Sequence, residues 1–308
     1  MMALVLIAYT IVSGLRSTVL KGLQLQGAAH AIAGENPISF CNVFFISQLM
    51  IGLALLIAEP ADVAREINGL RPRVRIAIAA DSFLGCFLAP LAFYMALDQL
   101  TVITQTLLFS LTLPASALLA LWWLKERLPV RFHLSLALIL AGLIVGRLFG
   151  SGLGMGMDQL PGLLWALVAV FATATRNCLR RHLVVQHLSR GLTGGVTNLA
   201  GALVFGLIAL LVYGPQHFFY LQLWWVVGVI VIYGLTLSLG TEILRQLSTA
   251  RFTVTQVAFG GSASVVVTVL TAAAFLHEPL TPGVLASLGL ILLGVLQRFL
   301  PGPSPSPA

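Results

Sequence analysis

Residues 124–145 read LKERLPVRFHLSLALILAGLIV and residues 276–297 read LHEPLTPGVLASLGLILLGVLQ. At an offset of 152 they match at Leu124/Leu276, Glu126/Glu278, Leu128/Leu280, Ser135/Ser287, Leu136/Leu288, Leu138/Leu290, Ile139/Ile291, Leu140/Leu292 and Gly142/Gly294. In each copy a long apolar run leads into a turn that holds one glutamate, and a second apolar run leaves it. A repeat whose period is half of a 308-residue chain marks a duplication. The chain therefore looks built twice from one pattern.

The runs themselves set the solvent. Only 9% of the residues are charged, against roughly 25% in a soluble domain, and the mean hydropathy is +0.99. Too little polar surface exists to cover a water-soluble core of this size. A membrane span needs about 20 mostly apolar residues, and ten segments qualify: 2–23, 38–58, 76–97, 102–124, 132–149, 161–180, 193–213, 223–244, 253–275 and 283–300. The connections are short, so function belongs among the spans or at their mouths. The net charge of +7 comes from basic residues clustered between apolar runs, the pattern of a topology signal and not of a nucleic-acid partner. Cys41, Cys86 and Cys178 lie in or beside apolar runs and form no metal or disulfide spacing. No metal or cofactor is expected. The opening MMALVLIAYTIVSG lacks a basic leader and reads as the first span, not a cleaved signal.

Ten spans divide five and five. Residues 1–150 form a first repeat, 151–160 a Gly-rich connection, 161–300 a second repeat, and PGPSPSPA at 301–308 a disordered tail. An odd number of spans per half sends the second half into the membrane from the opposite side, giving an inverted repeat. The expected fold is an all-α integral membrane protein of ten transmembrane helices in two inverted five-helix repeats. Fourteen of the seventeen Lys and Arg fall on one set of loop ends; the other side holds Arg16, Lys21 and Arg147. The positive-inside rule then puts both termini in the cytoplasm of a plasma (inner) membrane protein. Glu126 faces the cytoplasm and Glu278 the outside. Each precedes a helix start marked by Pro129 or by Pro279 and Pro282, where a carboxylate complements the helix dipole. They read first as turn-and-cap residues, with a gate or coupling role as the rival.

In these features the chain resembles the EamA-type members of the drug/metabolite transporter superfamily. The paired signature is carried by Leu124-Lys125-Glu126-Arg127-Leu128 with Gly142, and by Leu276-His277-Glu278-Pro279-Leu280 with Gly294. Gly14 and Lys21 keep the spacing of the family's first span, with Ser13 where Trp is usual. Pro114 is similar to the proline of the fourth span, and Gln48 stands where an Arg is often found in the second. The resemblance implies a central cavity lined mainly by spans 1, 3, 4, 6, 8 and 9, and movement of small organic solutes, often outward.

A charged side chain inside a span costs about 2.5–3.5 kcal/mol on the insertion scale, so each needs a reason. Arg16 lies about 6 Å from the middle of the first predicted span; it either attracts a carboxylate or phosphate on the solute or snorkels outward. Gln48, Gln105 and Gln256 are candidates for solute contact, with interhelical hydrogen bonding as the rival. Gln105 and Gln256 sit in matching Thr-Gln pairs. Tyr94 and Trp165 are aromatics on helices that the resemblance places at the cavity. Arg176 anchors topology or lines an anion vestibule. Asp81 is the candidate coupling carboxylate, and Glu242 is placed to pair with Arg245. The expected function is a secondary transporter of small organic metabolites such as amino acids, an exporter or exchanger working by alternating access. The partners are that solute and the bilayer lipid; a homodimer is left open. A channel, a structural membrane protein or a membrane-embedded enzyme is the alternative; the six scattered histidines offer no catalytic constellation.

Overall fold

The computed structural model describes residues 2–32, 34–125, 128, 131–149, 159–184, 188–251 and 254–297. Glu126, the connection at 151–158 and the tail at 301–308 lie outside the described residues. The described chain is helical, with no strand among its residues. The helices are α1 (Met2–Ala29), α2 (Phe40–Ala58), the surface helix α3 (Pro60–Gly69), α4 (Pro72–Gln99), α5 (Val102–Phe109 continued by Thr112–Leu124) and α6 (Phe132–Phe149). There follow α7 (Leu160–Val184), α8 (Gly191–Tyr213), α9 (Trp224–Ile232 continued to Arg251), α10 (Val254–Leu276) and α11 (Pro282–Leu296). Eight of them are long and apolar enough to cross a membrane; the apolar stretches Ala263–Leu276 and Pro282–Leu296 are shorter.

Residues at helix starts explain where the helices begin. Ser39, Thr101 and Thr281 each accept a hydrogen bond from the backbone N–H three residues on, which satisfies one of the first-turn donors of α2, α5 and α11. Three of the helices are interrupted by wide turns. Phe83–Leu88 widens α4, Gly191–Val196 and Ala209–Tyr213 widen α8, and Tyr233–Leu239 widens α9. In α4 the widening leads directly into Pro90, which has no N–H to offer the Cys86 carbonyl four residues back. Gln48 Nε2 donates to that carbonyl instead. In an apolar surrounding, a freed backbone group must find such a partner.

Helices approach where small residues remove bulk. At the α6–α11 contact a β-carbon on Gly142 would lie 2.8 Å from Ile291 Cγ1 and 3.0 Å from the Ser287 carbonyl. One on Gly294 would lie 2.9 Å from the Ser135 carbonyl and 3.0 Å from Ile139 Cγ1. Ser135 Oγ donates to the Gly294 carbonyl at 2.5 Å. All six residues belong to the offset-152 repeat, so the two copies pack against each other in a self-complementary contact. The seam between α1 and α10 is built similarly, from Gly14 against Val267, Thr18 bonded to Thr271 at 2.9 Å, and Thr268 Oγ1 donating to the Gly14 carbonyl at 2.9 Å.

The remaining principal pairings are α2 with α8 and α9, α4 with α7 and α8, α5 with α7 and α10, and α1 with α9. The two turns that carry the repeated motif also share a backbone feature. Lys125 (φ 54°) and His277 (φ 57°), equivalent at the 152 offset, are the described non-glycine residues with positive φ. The left-handed conformation ends the preceding helix and turns the chain sharply.

Gly142→Ala is expected to destabilise the protein by about 1–3 kcal/mol through overpacking, less about 1 kcal/mol regained from helix propensity. Gly289→Ala, on α11 with open space where its β-carbon would stand, keeps only the propensity gain. Thermal unfolding in detergent compares them; equal midpoints would remove the seam from the account.

Candidate functional site

Arg16 lies near the middle of the first helix. Because α1 runs for 28 residues, its midpoint falls at Arg16 and not four residues before it. The side chain is exposed. Its Nε donates to the hydroxyl of Tyr233 at 3.4 Å, and Tyr233 is itself fully buried where the wide turn of α9 begins.

Further charges sit toward the end of the bundle that carries the basic loops. Asp81, 2% exposed on α4, accepts from Arg176 Nε at 3.3 Å and Arg180 Nε at 3.1 Å, both on α7. Gly85 makes room for this arrangement, since a β-carbon there would collide with the Arg176 guanidinium. On α9, Arg245 forms a two-pronged pair with Glu242 at 2.6 and 3.1 Å. Arg180 lies within electrostatic reach of Arg245 and Glu242, and Glu242 within reach of Arg16. Asp81, the candidate coupling residue, is thus held between two arginines of the other half.

The other sequence candidates are dispersed. Gln48 is buried and engaged with the Cys86 carbonyl. Tyr94 is buried, donates to the Ile38 carbonyl at 2.9 Å, and stands edge-on to Phe40 and Phe44. Trp165 packs against Ala96, Leu100 and Ala166. Gln105 is fully buried on α5 and neither of its side-chain polar atoms has a partner. Leaving such an amide unsatisfied costs on the order of 1–3 kcal/mol for each group. Gln256 lies on α10, and its side chain is outside the described residues. Among the described residues, no hydrogen bond or ring contact joins any two of these candidates.

Several loop charges have clear structural roles. Glu278 does not cap α11, whose start is taken by Thr281. It reaches α5 instead, accepting from Val102 N at 2.7 Å and Ile103 N at 2.9 Å. Glu59 caps α8 through Arg190 N and Gly191 N, while Glu66 takes Ser189 N and Oγ. Lys21 donates to the Leu97 and Asp98 carbonyls at the C-terminal end of α4, where a cation is favoured. On the opposite face from the arginines, buried His217 lies between Ser39 Oγ at 2.7 Å and Glu35 Oε2 at 3.2 Å, with Tyr213 stacked on it at 4.5 Å. Ser39 also caps α2, so this cluster clasps the 215–222 turn onto the start of α2. Sequence reasoning missed it, because Ser39 and Glu35 are 178 and 182 residues from His217.

No family model matches the chain. An uncharacterized transporter of Synechocystis sp. is 26% identical over 197 residues, covering 62% of this chain and 56% of that relative. The match thus spans little more than half of the relative's length. A crystal structure aligns over 93% of this chain and 94% of its own, with a TM-score of 0.55 and 18% identity, a likeness of fold alone.

Asp81→Ala is expected to destabilise the protein by about 2–4 kcal/mol. It leaves two arginines facing each other, at the lower end of what breaking a buried pair costs because the guanidiniums keep some solvent. Glu242→Ala, at a more exposed pair, should cost less. Unfolding midpoints of the two variants check the order.

Proposed function

We propose that this chain is a secondary transporter of small organic metabolites such as amino acids, an exporter or exchanger working by alternating access between two inverted five-helix halves. The observation that carries this reading is the pattern of helix pairing. Exchange α1 with α7, α2 with α8, α4 with α9, α5 with α10, and α6 with α11, and the principal contacts map onto one another. The α4–α7 pair becomes α9–α1, α5–α7 becomes α10–α1, and α2–α9 becomes α8–α4, while α2–α8, α5–α10 and α6–α11 map onto themselves. An architecture of this kind has two packings of similar energy, one for each side of the membrane. The self-complementary seam at Gly142 and Gly294 and the paired left-handed turns support the same reading. So does the transporter-named relative, and the EamA-type signature of the two turns is the finer form of it.

In this proposal the ten helices cross a plasma (inner) membrane with both termini in the cytoplasm. Arg16 faces the solute path, and Gln105 gains there the polar partner that it lacks. The Glu278 turn holds the scaffold and does no chemistry.

Two measurements test it. Lys125→Cys and His277→Cys, both at exposed turn positions, should react with an impermeant maleimide from opposite sides of sealed, oriented vesicles. Labelling from one side would end the inverted-repeat reading. Liposomes holding the protein and an unlabelled metabolite mixture should show saturable, trans-stimulated uptake of a labelled member. An unsaturable current proportional to voltage would mark a channel.

A further inference from the structure

The charges around Arg16 do not balance. Arg16, Arg176, Arg180 and Arg245 share two described carboxylates, Asp81 and Glu242. Arginine stays protonated at any physiological pH, so the described groups leave two positive charges in excess. Their placement is the second point. They come from α1, α7 and α9, with α4 supplying Asp81, and all four keep accessible surface: Arg16 is exposed, and the side chains of Arg176, Arg180 and Arg245 are partly exposed. Side chains drawn from three helices and left accessible in this way can reach one shared ligand. The third point is the poverty of Arg16's partners: among the described residues its one hydrogen bond goes to a neutral phenol at 3.4 Å. Glu242, the described carboxylate within electrostatic reach of Arg16, is already engaged by Arg245, so an intramembrane cation placed there gains from an anionic visitor.

We propose that this arginine cluster binds a solute carrying two negative charges, a dicarboxylate or a phosphate monoester, held by Arg16, Arg180 and Arg245. The inference rests on the transporter reading and narrows its solute class. The guanidinium fork suits both chemistries, because its parallel N–H groups match the oxygens of a carboxylate or phosphate. Asp81 and Glu242 then have a defined task. They hold Arg176, Arg180 and Arg245 in place without neutralising the site, and they disfavour cationic solutes.

The test uses the purified, full-length protein at low ionic strength and named probes: succinate and glycerol phosphate as dianions, acetate as a monoanion, alanine as a zwitterion and choline as a cation. At least one of the two dianions should raise the unfolding midpoint saturably, and acetate, alanine and choline should not. Which of them does so distinguishes a dicarboxylate site from a phosphate site. Arg16→Gln should weaken the apparent affinity about tenfold or more, Arg16→Lys should restore part of it, and Arg65→Gln on the exposed face of α3 should leave it unchanged. Should Arg16→Gln fail to fold, Arg180→Gln gives the same reading, because Asp81 keeps Arg176. No stabilisation by either dianion, or undiminished stabilisation in both variants, overturns the proposal. Counterflow in liposomes separates the two ideas. Exchange of alanine but of neither dianion ends the anion class and leaves the transporter standing. Dianion stabilisation without any exchange sustains the site and ends the transporter.

Discussion

Between apolar helices in an apolar solvent, the hydrophobic effect gives little reason to associate; close packing and shared hydrogen bonds must do so. The rest of the structure depends on that constraint being met at a few glycine seams. Gly142 and Gly294 let α6 and α11 approach until each lies against a serine carbonyl of the other helix. Gly14 does the same for α1 on α10, and Gly201 for α8 against Gln48 and Cys86. At each seam a side chain adds a hydrogen bond to a backbone oxygen, from Ser135, Thr268 or Gln48. A duplicated chain meets the constraint economically, since one favourable surface, made twice, can recognise itself.

Helix ends pose the complementary problem, because first-turn N–H groups and last-turn carbonyls have no partner in their own helix. Here many of those partners come from distant segments. Glu278 closes the start of α5, Glu59 and Glu66 close the start of α8, and Lys21 closes the end of α4. Each bond fixes one helix end to another part of the chain, so the few loop charges register the helices along the bundle. His217 does comparable work between Ser39 and Glu35. Charges at the ends are spent on architecture, and the arginines within the bundle stand apart from them.

Much of the fold was legible in the sequence because hydropathy and repetition are local signals. The helices fall close to the ten apolar segments, and the Gly142 and Gly294 contacts lie inside the repeat that marks the duplication. The pairings were less legible. Asp81 meets Arg176 and Arg180 across 95 and 99 residues, and nothing in either local sequence announces the other. α1 outruns its predicted span because it continues through the polar stretch 24–29, which hydropathy alone would end earlier. Glu278 was expected at its own helix; a carboxylate's partner depends on which helix start the tertiary fold brings to it. Gln48 illustrates a clue that was present: Pro90 announces a carbonyl in need of a donor, but only the packing of α2 on α4 says which glutamine supplies it.

The wide turns of α4, α8 and α9 carry a mechanical consequence. Each stores one residue more than an α-helical turn requires. An excess residue of this kind behaves like a dislocation in a crystal. It can pass along the helix by exchanging one hydrogen bond at a time, without the helix ever unwinding. Each residue that it passes is advanced by one register, about 100° of rotation and 1.5 Å of rise. In α9 the store begins at Tyr233, the residue that touches Arg16. Travel of that dislocation toward Gly240 would swing the intervening side chains, Ser238 among them, to a new face while both ends of the helix stay anchored. A helix so built can re-aim the side chains within it by rotation alone.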